Sequence, residues 1–306
     1  MNKITKTVIG FLLISLLFVL ACQNKSTDKL DTIIKGKATI YVDESILPIV
    51  EDEEAVFETQ YEAKLHLVSQ SENEVLNALL NDTAKIAILT RKLSDKELKK
   101  FQAKKIVPRI TPFATDAVAL IRNKTSNDTL IALKDVIDFI NGKTVQSIKG
   151  LVFDNANSST VRYFNEVTGE TITNKKNIFS FKTNEEVIKY VANNDGMVGV
   201  IGINWIFQPP LSLQETVDKV NIMGIKGLNT NDYFSPTQDN LASGNYPLAR
   251  HLYIINCQGY SGLGMGFASF LGGERGQRII LKSGLVPERI PTRKIRIRNT
   301  ITKNNN

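Results

Sequence analysis

Seven consecutive residues, Asp154-Asn155-Ala156-Asn157-Ser158-Ser159-Thr160, gather one carboxylate, two amides and three hydroxyls. They follow the apolar run Gly150-Leu151-Val152-Phe153, which predicts a buried strand. They precede Val161-Arg162-Tyr163-Phe164, which predicts a helix start. Polar donors at such a junction can hold an anion. The first N–H groups of a helix have no partner inside it, and the helix dipole favours negative charge there. Ser158, Ser159 and Thr160 would add O–H donors. The competing reading is an ordinary N-cap, the role Ser, Thr and Asn fill in most helices.

Other reactive types are sparse. The histidines are His66 and His251, and the cysteines are Cys22 and Cys257. No set of these has zinc-ligand spacing, and no nucleophile elbow is present. The glycines of Gly196-Met197-Val198-Gly199-Val200-Ile201-Gly202 do not match a dinucleotide fingerprint. No metal, cofactor or catalytic constellation is therefore expected, and the chain does not read as an enzyme. Hydrophobic residues make up 42% and charged residues 23% of the 306, which is globular composition. The formal charge of +7 suits an anionic ligand or surface.

Three more polar turns are placed as the first one is. Residues 38–42 predict a strand that runs into Asp43-Glu44-Ser45 and then a helix with Pro48 in its first turn. Residues 64–68 predict a strand, and Ser71-Glu72-Asn73-Glu74 opens a helix with Val75, Leu76, Leu79 and Leu80 on one face. Residues 85–89 predict a buried strand leading to Thr90-Arg91-Lys92 and a charged helix from Ser94. This alternation predicts parallel α/β architecture, in which ligands gather at the carboxyl ends of strands. Residues 105–124 and 246–255 are long extended stretches that could cross between lobes. Residues 224–244 predict loops.

The chain opens with Lys3 and Lys6 and an apolar run over residues 8–20, about 13 residues and too short for a comfortable bilayer span. It ends in Val19-Leu20-Ala21-Cys22, which resembles a bacterial lipoprotein signal, with Cys22 as the lipid acceptor. An uncleaved anchor is the alternative. Residues 1–21 are then a signal peptide and 22–36 a polar tether. Loss of Lys3 and Lys6 would leave a charge of +5. Cys257 would stand alone, a buried inert thiol after an apolar run, with no disulfide framework. The basic alternation Arg293-Lys294-Ile295-Arg296-Ile297-Arg298 lacks interleaved aromatics, so it reads as solvated and not as a nucleic-acid platform. Residues 297–306 read as a disordered tail.

Taken together, several segments between residues 37 and 292 resemble the phosphate-binding proteins of bacterial ABC transporters. Asn157-Ser158-Ser159-Thr160 stands where that family has Gly-Ser-Gly-Thr before a helix. Thr90-Arg91 with Leu93-Ser94 stands at its Ser-Ser-Arg-like turn, and Asp43-Glu44-Ser45 at its Gly-Ser-Ser/Thr turn. Asp116-Ala117-Val118-Ala119-Leu120 resembles its first crossing strand. Tyr246-Pro247-Leu248-Ala249-Arg250-His251-Leu252-Tyr253 resembles its second, Tyr-Pro-Leu-x-Arg-x-Leu-Tyr.

The resemblance implies an α/β, two-lobed type II periplasmic binding-protein fold with two inter-lobe crossings. Lobe 1 would hold residues 37–116 and 246–296, and lobe 2 residues 117–245. It implies phosphate or a similar oxyanion held by Ser158, Ser159, Thr160 and Asn157 from one lobe and by Ser45 and Thr90 from the other. The family's Arg position is Asp154 here, so Arg91 or Arg162 would supply the positive charge. Asp43, Glu44 and Asp154 are candidates for the family's proton acceptor. Either phosphate sits in a rearranged shell, or the site takes a different small solute. The implied partners are ABC permease subunits and a membrane reached through lipidated Cys22, on its periplasmic or outer face, with the chain a monomer. Two other readings share these residues: a sensor or interaction lipoprotein of the same fold with no transport role, and a lipid-anchored hydrolase.

Overall fold

The computed structural model describes residues 31–172 and 175–292. The expected leader, Cys22 and the basic run at 293–298 lie outside the described residues. β1 (Lys35–Asp43) feeds through a 3-10 turn at Glu44–Ile46 into α1 (Leu47–Gln60). Pro48 lies in the first turn of α1, where its missing N–H costs nothing. β2 (Glu62–Gln70) runs parallel to β1. α2 (Glu72–Leu80) begins where the Ser71 N–H donates to Glu74 at 3.0 Å. β3 (Ile86–Leu89) follows, and α3 (Asp95–Ala103) begins at a capping box of Ser94 and Glu97.

β4 (Arg109–Asn123) is the longest strand described. Beyond it come β5 (Leu130–Ala132), α4 (Leu133–Ile140), β6 (Gly150–Phe153) and α5 (Ser159–Thr168). Gly169 closes α5 in the left-handed region at φ 70°, where a side chain would be strained. Next are β7 (Ile178–Ser180), α6 (Asn184–Asn193), β8 (Met197–Gly202) and α7 (Asn204–Phe207). Then come α8 (Gln214–Val217), β9 (Val220–Ile222), β10 (Gly224–Lys226), β11 (Tyr233–Phe234) and α9 (Gln238–Ala242). The chain returns as β12 (Ala249–Asn256), α10 (Leu263–Leu271), α11 (Glu274–Lys282) and β13 (Val286–Pro287).

The main sheet has the order β2-β1-β3-β12-β4-β8-β6-β7. β4 is its spine. Its first part, Arg109 to Ala117, pairs with β12, and its second part, Val118 to Arg122, pairs with β8. The fold is thus the expected two-lobed α/β arrangement, with β4 as one crossing. The other crossing is Tyr246 to Leu248, just ahead of β12. There the Tyr246 hydroxyl donates to the Val118 carbonyl at 2.9 Å, and the Val118 N–H donates to the Leu248 carbonyl at 2.9 Å. Residues 224–244, expected as loop, contain β10, β11 and α9. β10 exists because β5, far away in sequence, pairs with it, and no local pattern announces that.

Apolar faces are buried on both sides of the sheet. One cluster spans both lobes and includes Ile40, Phe57, Phe113, Leu120, Val152 and Val200. A second, under α2 and α3, includes Val75, Leu79, Leu89 and Phe101. Phe57 of α1 meets Phe267 and Phe270 of α10 edge-to-face, at centroid distances of 5.2 and 5.3 Å. Cys257 is buried, as expected, and burial pushes its thiol up to about 11.

Gln277 of α11 ties this end together. Its amide donates to the Phe113 and Leu271 carbonyls at 2.8 and 2.7 Å and accepts from the Arg289 N–H at 2.7 Å. Replacing it strands buried backbone groups, so Gln277→Ala should cost about 2–4 kcal/mol in urea denaturation.

Candidate functional site

The polar turns meet where the two lobes face each other. Ser158 is the N-cap of α5, and its hydroxyl accepts from the Val161 N–H at 3.3 Å. The same hydroxyl donates to Asp154 Oδ1 at 2.5 Å. The Thr160 hydroxyl also donates to Asp154 Oδ1. Asn184 of α6 donates to the other oxygen, Asp154 Oδ2, at 3.1 Å. Asp154 is 1% exposed. Burial pushes its carboxyl up to about 6, and the donors from Ser158 and Thr160 oppose that rise. The cap reading holds, since Ser158 caps the helix. The anion at these hydroxyls is the chain's own carboxylate.

Ser159 points across the seam. Its hydroxyl lies 2.9 Å from that of Ser45, which sits in the 3-10 turn after β1. Asp43 caps this turn by accepting from the Ser45 N–H at 3.1 Å. Arg250 of β12 binds both serines. Its guanidinium donates to Ser159 Oγ at 3.0 Å and to Ser45 Oγ at 3.0 Å. It also donates twice to Asp116 Oδ2, at 2.9 and 3.1 Å. Arg250 and Asp116 are both buried, which raises Asp116 while the adjacent guanidinium opposes the rise.

On one flank, Glu72 at the start of α2 gathers the remaining cations. It accepts from Arg91 at 3.0 Å, from Arg162 at 2.6 and 3.1 Å, and from the Thr90 hydroxyl at 3.1 Å. Arg91 is also forked onto Glu97 at 2.9 Å, and Arg162 reaches Glu166 at 2.7 Å. On the other flank, Glu44 accepts from the Asn184 N–H at 3.0 Å and from its side-chain amide at 2.5 Å. The Trp205 indole donates to the Glu44 carbonyl at 3.1 Å, and Asn204 donates to the Ser45 carbonyl at 2.9 Å. A Cβ on Gly202 would lie 2.1 Å from that same Ser45 carbonyl oxygen, so β8 closes on the turn only as glycine.

The structure therefore brings Glu44, Ser45, Thr90, Arg91, Asp154, Ser158, Ser159, Thr160 and Arg162 to one seam. Asn157 lies at its exposed edge, where its carbonyl accepts from the Asn73 N–H of the other lobe at 3.3 Å. Sequence reasoning missed Glu72, Asn184 and Arg250 as site residues. Glu72 carried one sign, its place in a polar turn after a strand; Asn184 carried none. The seam sets Asp43, Glu44, Glu72, Asp116 and Asp154 against Arg91, Arg162 and Arg250. Buried oxygens without a partner include Asp43 Oδ2, Asp116 Oδ1 and Asn204 Oδ1. Among the described residues, no group of His, Cys, Asp and Glu is arranged to hold a metal ion. A separate hollow of about 420 Å³, lined by Arg109, Met265 and Arg289 among others, involves none of the seam residues.

A two-lobed α/β chain with hydroxyls and a guanidinium converging between its lobes has the form of a solute-binding protein. The chain belongs to the PBP superfamily: the family model for a PBP superfamily domain matches residues 30–275. A Clostridium perfringens structure with bound phosphate, described as a phosphate ABC transporter substrate-binding protein, has a TM-score of 0.71 at 18% identity. That match covers 83% of this chain and 100% of the other. An ABC-type phosphate transport receptor from Vibrio cholerae has a TM-score of 0.60 at 20% identity, over 81% and 99% of the two chains. The reduced regulatory domain of OxyR2 from Vibrio vulnificus has a TM-score of 0.52 at 11% identity, over 79% and 97%. No curated protein matches the sequence. These structural neighbours, all below 25% identity, share the fold of this chain.

Removing Arg250 would leave Asp116 charged and buried. Arg250→Ala should cost about 3–5 kcal/mol, measured by thermal or urea unfolding. Arg250→Lys should recover only part of it, because an ammonium lacks the fork that reaches two serines and a carboxylate.

Proposed function

We propose that this protein is a lipid-anchored, extracytoplasmic solute-binding protein. It captures phosphate or a related small oxyanion between its lobes and presents it to an ABC permease. The observation that carries this reading is the convergence of Ser45 and Ser159, from opposite lobes, on the buried guanidinium of Arg250. The hydroxyls of Ser158, Thr160 and Thr90 and the backbone near Asn157 complete the oxyanion shell. Arg91 and Arg162 supply charge at its flank. Asp154, Glu44 and Asp43 accept the protons of a partly protonated oxyanion. The phosphate-binding neighbours of the same fold support the choice of ligand class, and the lipoprotein-like start with Cys22 supports the anchor. The chain works as a monomer, with lobes formed by residues 37–116 with 246–296 and by residues 117–245.

A second reading has a specific observation behind it. The Ser158 and Thr160 hydroxyls are already engaged by Asp154. In a sensor or interaction lipoprotein of the same fold, that carboxylate would hold the place of the anion permanently.

A melting experiment on the full chain separates the two. Ligand that binds only the folded state stabilises it by RT ln(1 + [L]/Kd), about 2.7 kcal/mol at a hundredfold excess over Kd. The transport reading expects phosphate, or one of sulfate and molybdate, to raise the melting temperature at millimolar concentration. A flat response to all three would remove it and leave the sensor reading.

The loop's own part is tested by Ser158→Ala combined with Thr160→Ala. The ligand-dependent rise in melting temperature should vanish while circular dichroism stays native. A rise of unchanged size would place the ligand elsewhere.

A further inference from the structure

One arrangement within the seam needs no ligand. Glu44 comes from the turn after β1, and Asp154 and Asn184 come from the opposite lobe. The side-chain amide of Asn184 sits between the two carboxyl groups, 2.5 Å from Glu44 Oε2 and 3.1 Å from Asp154 Oδ2. The Asn184 backbone N–H also donates to Glu44 at 3.0 Å, and its side-chain oxygen, Oδ1, accepts from the Gly202 N–H at 3.0 Å. Asn184 is therefore fixed at both ends and fully buried. Two acidic groups from different lobes close onto one donor. Burial and the like charge of its neighbour make Glu44 costly to ionise there, against the pull of the Asn184 donors.

We infer that Glu44, Asn184 and Asp154 form a proton-held latch between the lobes, so that closure takes up a proton and ligand-free opening releases it. This rests on reading the chain as a two-lobed binding protein that opens and closes.

The surroundings favour the protonated pair. Burial comes first in pushing Glu44 up to about 8, and the neighbouring Asp154 carboxylate comes next. The Asn184 donors oppose the rise and Asp43, at the end of β1, adds to it. Asp154, pushed up to about 6, has the Ser158 and Thr160 hydroxyls of α5 opposing, Asp43 adding, and Arg250 of β12 opposing. From α7, the groups facing the turn are the neutral Trp205 and Asn204. Arg250 is already committed to Asp116 and the two serines, so it cannot neutralise the pair alone.

The sign follows. In an open seam both carboxyls face water and ionise in the ordinary range near 4. In the closed seam they hold protons to higher pH. Closure is unpenalised below that ordinary range. It weakens as pH rises from there toward about 8 and is level above, where both states are ionised.

Trp205 is the single tryptophan of the chain and is buried with its indole bonded to the Glu44 backbone, so it reports directly on this contact. The experiment is an emission titration of the full chain from pH 5 to 9.5 without added anion, with radius of gyration from small-angle scattering at the same points. The latch expects emission to move to longer wavelength and the radius to grow across that interval. Glu44→Gln, neutral at every pH, should remove the part of the transition near pH 8 and leave only the part near pH 6 that belongs to Asp154. If that variant fails to fold by circular dichroism, Asp154→Asn serves instead and should remove the part of the transition near pH 6. A wild-type protein flat in both readouts, or a variant that titrates like wild type, overturns the latch. Phosphate melting is scored separately. A flat phosphate response with the titration intact sinks only the transport reading, and the reverse pattern sinks only the latch.

Discussion

A guanidinium buried in the middle of a protein must have its hydrogen bonds met, and the seam is arranged around that demand. Arg250 faces Asp116 across the β12–β4 ladder, at the point where β4 leaves β12 for β8. The carboxylate takes two of its donors, and two serines from opposite lobes take one each. Small hydroxyl side chains at 45 and 159 meet part of that demand, and their backbones are held at the right depth. The Asp43 cap and the Asn204 contact fix Ser45, and the first turn of α5 fixes Ser159. A charge that is costly to bury thereby sets the distance between the lobes.

The acceptors around this centre outnumber the cations. Glu72 occupies Arg91 and Arg162, and Asp154 occupies Ser158 and Thr160, so few donors at the seam remain without a partner. Most donors at the seam are thus satisfied by the chain's own acceptors, while several buried oxygens still lack a donor. Burial and like charge are tuned here more than attraction.

Much of the fold was legible because it is local. Strand, polar turn and helix recur with the expected periodicity, and Ser71 and Ser94 mark helix starts by their Glu partners three residues on. Both crossings showed as extended runs without helical spacing. Ser158, Ser159, Thr160 and Ser45 were found because a hydroxyl at a strand-to-helix turn carries its own meaning. Asn184, Glu72 and Arg250 were not, because each acquires its role from partners far along the chain. Arg250 meets Ser45 across 205 residues, and Arg162 meets Glu72 across 90. Asp154 was visible as an anomaly in the family pattern. Only its three donors from α5 and α6 show what it does there. The two-residue strand β11 and the three-residue β10 fell below any periodic signal, since their pairing creates them.

The position of β12 governs the order of events during biosynthesis. It lies between β3 and β4, paired antiparallel to both. A nascent chain emerging from its N-terminal end carries β1, β2 and β3 long before it carries residues 249–256. Until then β3 presents a bare ladder edge and the first half of the sheet has no way to join the second. The earliest-made lobe is thus the last to be finished.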